Sequence, residues 1–308
     1  MSAPDPVFSL DDLDRWSFSG PALAVLGQPI AHSLSPAMHN AALAALARTD
    51  PRFASWRYFK FAVAPDQLPA ALPRFHAHGF LGLNLTVPHK VLAWAQIASP
   101  APGTAAVGAV NTLIRREAPG AWAGDNTDGY GLATGLREDL GVALDGAPVI
   151  LLGAGGAARG AAVECLRRGC AALWIANRTR ARLDELLARL RPLAGTVPLH
   201  GFPPAEPPAS LPAGAVVINA TSLGLRVDDA APLDLARLPR PAAVYDMIYN
   251  PAVTPLLRQA AALGVPQANG LSMLVHQGAK SLELWTGVPA DRTAPVMRTA
   301  ARAAQAAR

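Results

Sequence analysis

The sequence predicts an α/β protein of two domains, and three observations carry that prediction. Strand-like and helix-like segments alternate from Pro21 to the C-terminus, the pattern of largely parallel sheet covered by helices. A second alternating series opens near Gly146, where a short apolar run meets a cluster of glycines. At 308 residues the chain is too long for one compact core and divides naturally into two.

The elements follow in order. Residues 22–26, 57–63 and 80–85 read as strands, rich in apolar and aromatic side chains. Residues 37–47 and 67–78 read as the helices between them. A strand pair is expected at 109–115 and 121–124, around the turn Ala118-Pro119-Gly120. Residues 130–140 then form a connecting helix. In the second series, 149–152 is a strand, 157–168 a helix ended by Gly169, 171–176 a strand and 181–190 a helix. A Pro-rich loop spans 201–212. Strands follow at 215–219 and 243–246, and 271–308 reads as helical. The sequence carries no internal repeat.

The glycines carry the first chemical signal. Val149-Ile150-Leu151-Leu152 runs into Gly153-Ala154-Gly155-Gly156-Ala157-Ala158, which fits G-x-G-x-x-A between a strand and a helix. The first glycine allows a tight turn and the second lets backbone approach a pyrophosphate. The small third position lets helix and strand pack, and the helix N-terminus attracts phosphate charge. A tight turn without a ligand is the alternative, but strand, helix and next strand all fall in register for a Rossmann-type domain. The chain therefore reads as a hydride-transferring enzyme with a nicotinamide dinucleotide.

The end of the second strand selects the dinucleotide. A site for NAD places Asp or Glu there to bond the ribose 2′-hydroxyl. Here the residues are Asn177-Arg178-Thr179-Arg180-Ala181-Arg182, with no carboxylate before Asp184. Guanidinium groups suit a 2′-phosphate through charge-assisted bonds, so the sequence predicts NADP.

The first half offers polar groups at strand ends. His32-Ser33-Leu34-Ser35-Pro36 follows the first strand. Ser35 is a good N-cap and Pro36 a good first helical residue. The two hydroxyls could serve a carboxylate at that helix N-terminus, or cap the helix and nothing more. Asn84, Thr86 and Lys90 follow another strand, with a helix expected from Pro88. Asn111 adds an amide and Asp128 a carboxylate. Ligands gather at the C-terminal ends of strands in such sheets, and a lysine beside a buried aspartate there is a candidate acid/base.

Composition narrows the class. Hydrophobic residues make up 51% and charged residues 16% of the chain, which excludes a disordered protein. The net charge of +5 comes from scattered arginines without a basic tail or an aromatic-interleaved stripe, against a nucleic-acid binder. Cys165 and Cys170 are the only cysteines, so a disulfide framework is excluded and a reducing cytoplasm is expected. The N-terminus has four aspartates by residue 14 and no apolar run, unlike a signal peptide. No apolar stretch is long enough for a transmembrane helix. His76-Ala77-His78 lacks a third ligand in sensible spacing, and no metal is expected. No G-x-S-x-G elbow supports a serine hydrolase.

Taken together, the motifs resemble the shikimate/quinate dehydrogenase family, and a shikimate dehydrogenase in particular. The matching pieces are residues 27–40, 84–90, 108–112, 125–129, 153–158, 177–182, 219–224, 245–254 and 270–287, in family order. The resemblance implies an N-terminal α/β/α substrate domain over 1–128, completed by 272–308, and a Rossmann NADP domain over 129–271. It implies an active site in the cleft between them. Ser33 and Ser35 would bind the substrate carboxylate. Asn84, Thr86, Asn111 and Gln277 would hold ring hydroxyls, with Tyr249 lining the pocket. Lys90 and Asp128 would form the catalytic pair.

On the cofactor side, Gly153, Ala154, Gly155, Gly156 and Ala157 would cradle the pyrophosphate. Asn177, Arg178, Thr179 and Arg182 would surround the 2′-phosphate, and Thr221, Met247 and Gly270 the nicotinamide. The implied reaction is reduction of 3-dehydroshikimate by NADPH to shikimate, on the way to chorismate and aromatic amino acids, in a cytoplasmic monomer or homodimer. One departure is Pro102, where the family often carries an acidic residue. Relatives that favour quinate tend to have threonine at the position of Ser35 and acidic residues after the second Rossmann strand. An aminoshikimate enzyme stays open as an alternative. A non-catalytic relative should have lost Lys90 or Asp128, and both are present.

Overall fold

The computed structural model describes residues 5–97, 99–101, 104–226 and 228–307; Pro102 lies outside them. The chain divides into two units, Met1–Thr127 with Gln277–Arg308, and Asp128–His276.

In the first unit, β1 (Ala22–Gly27), β2 (Arg57–Ala62), β3 (Phe80–Leu85), β4 (Ser99–Pro100), β5 (Thr112–Arg115) and β6 (Trp122–Asp125) form one sheet. Its strand order is β2-β1-β3-β5-β6-β4. β1 runs parallel to β2 and β3, whereas β5 is antiparallel to both β3 and β6. The sheet is therefore mixed, with β5 alone running against the other five named strands. The cause is the short connection through Ala118 and Gly120, where the Ala121 N–H donates to the Ala118 carbonyl at 3.0 Å. A turn that tight can only reverse the chain; a parallel return needs a crossover.

The helices α1 (Leu10–Asp14), α2 (Ser35–Ala47), α3 (Leu68–Ala77), α4 (His89–Leu92) and α5 (Thr104–Val107) connect these strands. The apolar core joins Leu26, Phe61, Phe75, Phe80, Leu83 and Trp122. The N-terminal stretch, which matches no family motif, belongs to this core. Ser9 and Asp12 form a capping box that starts α1, and Leu10 and Leu13 are buried. Phe8 pairs with β2 through Phe8 N–H to Lys60 O at 3.0 Å and Ala62 N–H to Phe8 O at 2.8 Å.

The second unit begins with α6 (Asp128–Leu140). Its sheet is built from β7 (Pro148–Leu152), β8 (Ala172–Ala176), β9 (Leu199–Phe202), β10 (Val216–Asn219), β11 (Ala243–Asp246) and β12 (Gln267–Asn269). All neighbours are parallel, in the order β12-β11-β10-β7-β8-β9. Counted from its first strand this is the order of a doubly wound dinucleotide-binding sheet. Helices α7 (Gly156–Arg167), α8 (Arg180–Ala194) and α9 (Pro255–Ala262) make the crossovers. The strand residues Ile150, Leu152, Val217 and Val244 pack with Leu256, Leu257 and Ala260 of α9. β9 claims the first residues of the expected Pro-rich loop, because the edge of β8 supplies partners: Asn177 N–H donates to Phe202 O at 3.2 Å.

Two long helices finish the chain, α10 (Leu271–Thr286) and α11 (Ala290–Ala306), the latter packed on α2. The division between units falls at 127 and 276, against the expected 128 and 271. Asp128 is already the first residue of α6. The first turns of α10 are held by the second unit: the Met273 N–H donates to Tyr245 Oη at 3.2 Å, the Ser272 hydroxyl to Asp139 at 2.7 Å, and His276 pairs with Glu138 at 2.7 Å.

Candidate active site

The first unit gathers polar side chains at one edge of its sheet. β1, β3 and β6 end there, and β5, which runs the other way, begins there. Ser33 and Ser35 follow β1, Asn84 lies near the end of β3, Asn111 precedes β5, and Asp125 ends β6. Antiparallel insertion of β5 is thus what carries Asn111 to the same edge as Asn84.

The serines are not placed as expected. α2 starts at Ser35, whose own backbone is helical, and no side chain caps it at Leu34. The hydroxyl that meets backbone belongs to Ser33, which accepts the Ser35 N–H at 3.2 Å. Ser35 is buried and already the first helical residue, which corrects its reading as an N-cap.

Behind the serines lies a buried amide cluster. Tyr58 donates its hydroxyl to Asn84 Oδ1 at 2.8 Å. Asn84 Nδ2 reaches the Asn111 carbonyl at 3.1 Å, Thr112 Oγ1 at 3.2 Å and Ser281 Oγ at 3.0 Å. Asn111 Oδ1 accepts the Thr127 N–H at 2.8 Å and the Thr112 hydroxyl at 2.9 Å. Its Nδ2 donates to Thr127 Oγ1 at 2.9 Å and to Gln277 Oε1 at 3.2 Å. Asn84, Asn111 and Gln277 are thereby tied into one network. Burial holds the Tyr58 phenol well above its ordinary range, with the nearby Ser35 side chain pulling the other way.

Beneath Tyr58, His39 stacks face to face, with centroids 4.1 Å apart and planes at 1°. His39 is fully buried, and neither ring nitrogen has a hydrogen-bond partner among the described residues. Burial lowers its pKa to about 3, so the ring is neutral at physiological pH.

Lys90 stands on α4, which starts at His89 rather than Pro88; its carbonyl accepts the Val110 N–H at 2.9 Å. The backbone thus pins the lysine segment to the approach of β5. Lys90 and Thr86 are both half-buried. Asp128, at the start of α6 in the second unit, is 2% exposed.

In the second unit, the glycine loop sits between β7 and α7. Gly153 has φ of +113°, a conformation that side chains rarely adopt. A Cβ there would also lie 3.1 Å from the Ala220 carbonyl and from the Thr221 methyl. No side chain caps α7 at Gly155, and a Cβ added to Gly155 would meet nothing within 4 Å. The first-turn N–H groups therefore lie beside open space, the arrangement that suits a pyrophosphate. Ala154 is buried, while Gly156 and Ala157 are partly exposed.

The basic turn is also sorted by structure. Arg180 is committed to Asp184, its Nε 2.9 Å from both carboxylate oxygens. Arg178, Thr179 and Arg182 are exposed, and neither of these arginines makes an ion pair among the described residues. Asn177 Nδ2 donates to the Thr179 carbonyl at 2.8 Å and shapes the turn.

Thr221, Met247 and Gly270 follow the C-terminal ends of the adjacent strands β10, β11 and β12. Gly270 donates its N–H to the Ile248 carbonyl at 3.1 Å, and any Cβ at Gly270 would strike the Met247 carbonyl. Tyr249 is half-buried on the loop after β11. Among the described residues no group of His, Cys, Asp and Glu is placed to hold a metal, and no helix is long and apolar enough to cross a membrane.

The sequence reading missed Tyr58, His39, Thr112 and Ser281. Alternation in β2 shows that Tyr58 faces inward, but the partner of its hydroxyl, Asn84, is 26 residues away and leaves no local mark.

The family profile described as shikimate dehydrogenase substrate binding domain matches residues 25–113, and the one described as shikimate 5′-dehydrogenase C-terminal domain matches 270–302. The chain is 43% identical over 270 residues to a shikimate dehydrogenase (NADP(+)) of Geobacter sp. (strain M21), covering 85% of this chain and 89% of that one. It is 43% identical over 291 residues to a shikimate dehydrogenase (NADP(+)) of Symbiobacterium thermophilum, covering 92% and 95%. The shikimate 5-dehydrogenase of Thermus thermophilus, solved in complex with NADP(H) and shikimate, superposes with a TM-score of 0.78 at 36% identity, covering 92% of this chain and 99% of that one.

Proposed function

The chain belongs to the shikimate dehydrogenase family, and from that membership we propose that it reduces 3-dehydroshikimate to shikimate, reversibly, with NADPH. The observation that carries the proposal is the gathering of two serines, three amides and a lysine segment around the edge of the first sheet. That set matches a small acid bearing several hydroxyls: hydroxyl donors for a carboxylate, and amides that both donate and accept for ring hydroxyls.

Ser33 and Ser35 hold the carboxylate. Asn84, Thr86, Asn111 and Gln277 fix the ring, and Tyr249 lines the pocket. When bound, NADPH supplies the hydride for the carbonyl carbon. Lys90, as the ammonium, gives the proton to the carbonyl oxygen, and in the reverse direction its amine takes the hydroxyl proton. Asp128 orients the lysine and a ring hydroxyl. One carbonyl, one hydride and one proton make one secondary alcohol, so the balance closes.

The residues of the second unit fit the cofactor. The uncapped start of α7 at Gly153, Ala154, Gly155, Gly156 and Ala157 receives the pyrophosphate. Arg178 and Arg182, with Asn177 and Thr179, take the 2′-phosphate, and Thr221, Met247 and Gly270 border the nicotinamide. The reading includes a cytoplasmic location, supported by two buried free thiols, Cys165 and Cys170.

A spectrophotometric assay crossing shikimate and quinate with NADP and NAD tests the proposal. Shikimate with NADP should exceed each other pair by at least about tenfold in kcat/KM. Equal or better rates with quinate, or with NAD, overturn the substrate or the cofactor half respectively.

A further inference from the structure

Asp246 is a buried carboxylate to which the reading above gives no task. It closes β11 and is 0% exposed, and no ion pair among the described residues includes it. Three neutral donors surround it. Asn219 Nδ2 and the Ile248 N–H donate to Oδ1 at 2.9 and 3.0 Å, and the Thr254 hydroxyl donates to Oδ2 at 2.6 Å. Burial raises its pKa, and these three hydrogen bonds oppose the rise. A buried carboxylate without a counter-ion is costly to keep, and a leucine or asparagine would fill the space.

The partners show what the carboxylate holds. Asn219, also 0% exposed, accepts both the N–H and the hydroxyl of Thr221 on its Oδ1, at 2.9 and 2.8 Å. Ile248 follows Met247 directly, and its carbonyl accepts the Gly270 N–H. Thr254 also accepts the Leu257 N–H at 3.3 Å and so starts α9, closing the far end of the 247–254 loop. A single acceptor-only group thus ties together the three segments that carry Thr221, Met247 and Gly270. A carboxylate receives all three donors at once, whereas a side-chain amide keeps the Asn219 and Ile248 donors only by forcing the Thr254 hydroxyl to accept instead of donate.

We infer that Asp246 is a positioning residue, which fixes the loops of Thr221, Met247 and Gly270 to receive the nicotinamide end of NADP. This inference rests on the proposed assignment of those three residues. The 2′-phosphate end, held at the start of α8 beyond β8, does not depend on Asp246.

Asp246→Asn keeps the shape and tests the charge. The full-length protein is titrated with NADPH, followed by nicotinamide fluorescence, and with 2′-phospho-ADP-ribose, which carries both phosphate sites and no nicotinamide. Asp246→Asn should weaken NADPH about tenfold while 2′-phospho-ADP-ribose stays within about twofold of wild type. In turnover, kcat should fall while the KM for shikimate holds. Thr254→Val should repeat the selective loss, and Thr254→Ser, which keeps the hydroxyl, should restore it. Unchanged NADPH affinity, or equal weakening of both ligands, overturns the role of Asp246 and leaves the cofactor reading standing. The double variant Arg178→Ser/Arg182→Ser should weaken the probe itself. If wild type binds neither ligand, the cofactor reading fails and the inference falls with it.

Discussion

Replacing Tyr58 by phenylalanine removes one oxygen and leaves the ring. Tyr58 is 2% exposed and Asn84 is 6% exposed, so water cannot take the place of the lost hydroxyl. The ring keeps its stack on His39 at 4.1 Å, and the buried apolar area hardly changes. The cost therefore falls on Asn84 Oδ1, which loses a donor at 2.8 Å. An orphaned buried acceptor costs about 1–3 kcal/mol. For a unit of this size each kcal/mol moves Tm by roughly 2–4 °C, so the variant should melt roughly 2–12 °C lower.

Asn84 is a proposed substrate ligand held by Tyr58, so the same change should reach turnover. A loss of about 1–2 kcal/mol in transition-state binding lowers kcat/KM for shikimate roughly 5–30-fold. NADPH affinity should be unaffected, because Tyr58 belongs to the first unit. Differential scanning fluorimetry, shikimate kinetics and NADPH titration measure the three quantities. A melting temperature and a shikimate kcat/KM both equal to wild type would refute the argument that Tyr58 holds Asn84.

Two further expectations concern ionisable groups. Lys90→Ala should cut turnover by about 10²–10⁴-fold and leave NADPH affinity nearly unchanged; near-normal turnover would remove Lys90 from the proton transfer. His39 has its folded pKa lowered to about 3 by burial, against about 6.5 in the unfolded chain. The unfolded chain therefore binds the extra proton first, and stability present above pH 6.5 is lost as pH falls toward 3. Between pH 6.5 and 5 the loss from this residue is about 2 kcal/mol. His39→Phe, which keeps a ring against Tyr58, should flatten that part of the urea-unfolding profile against pH. An unchanged slope would show that another group titrates there.

Much of the second unit was legible in the sequence because its chemistry is local. The tight turn at Gly153, the helix behind it and the arginines after β8 lie within 30 residues of one another, and each is recognised by its own backbone or charge. The first unit was harder. Its strands were visible, but the reversal at Ala118-Pro119-Gly120 had to be seen as a hairpin inside the sheet before Asn111 could be placed beside Asn84. Ser35 has the composition of an N-cap and lies one residue too far into the helix to act as one. Nothing local distinguishes Tyr58 from any inward-facing aromatic residue.

The sequence by itself determined the kind of chemistry: a dinucleotide loop, a basic turn, paired serines, a lysine and an aspartate in family order. These follow from residue type and short spacing, which the backbone enforces wherever the chain goes. Only the tertiary structure decided which polar groups are joined to one another. Hydrogen bonds from Tyr58 to Asn84, from Asn111 to Gln277 and from Asn219 to Asp246 span 26, 166 and 27 residues. Such pairs form because burial leaves each group no water, so its partners must come from the protein around it. Those partners are set by strand order and direction, which are properties of the whole sheet and of no single segment.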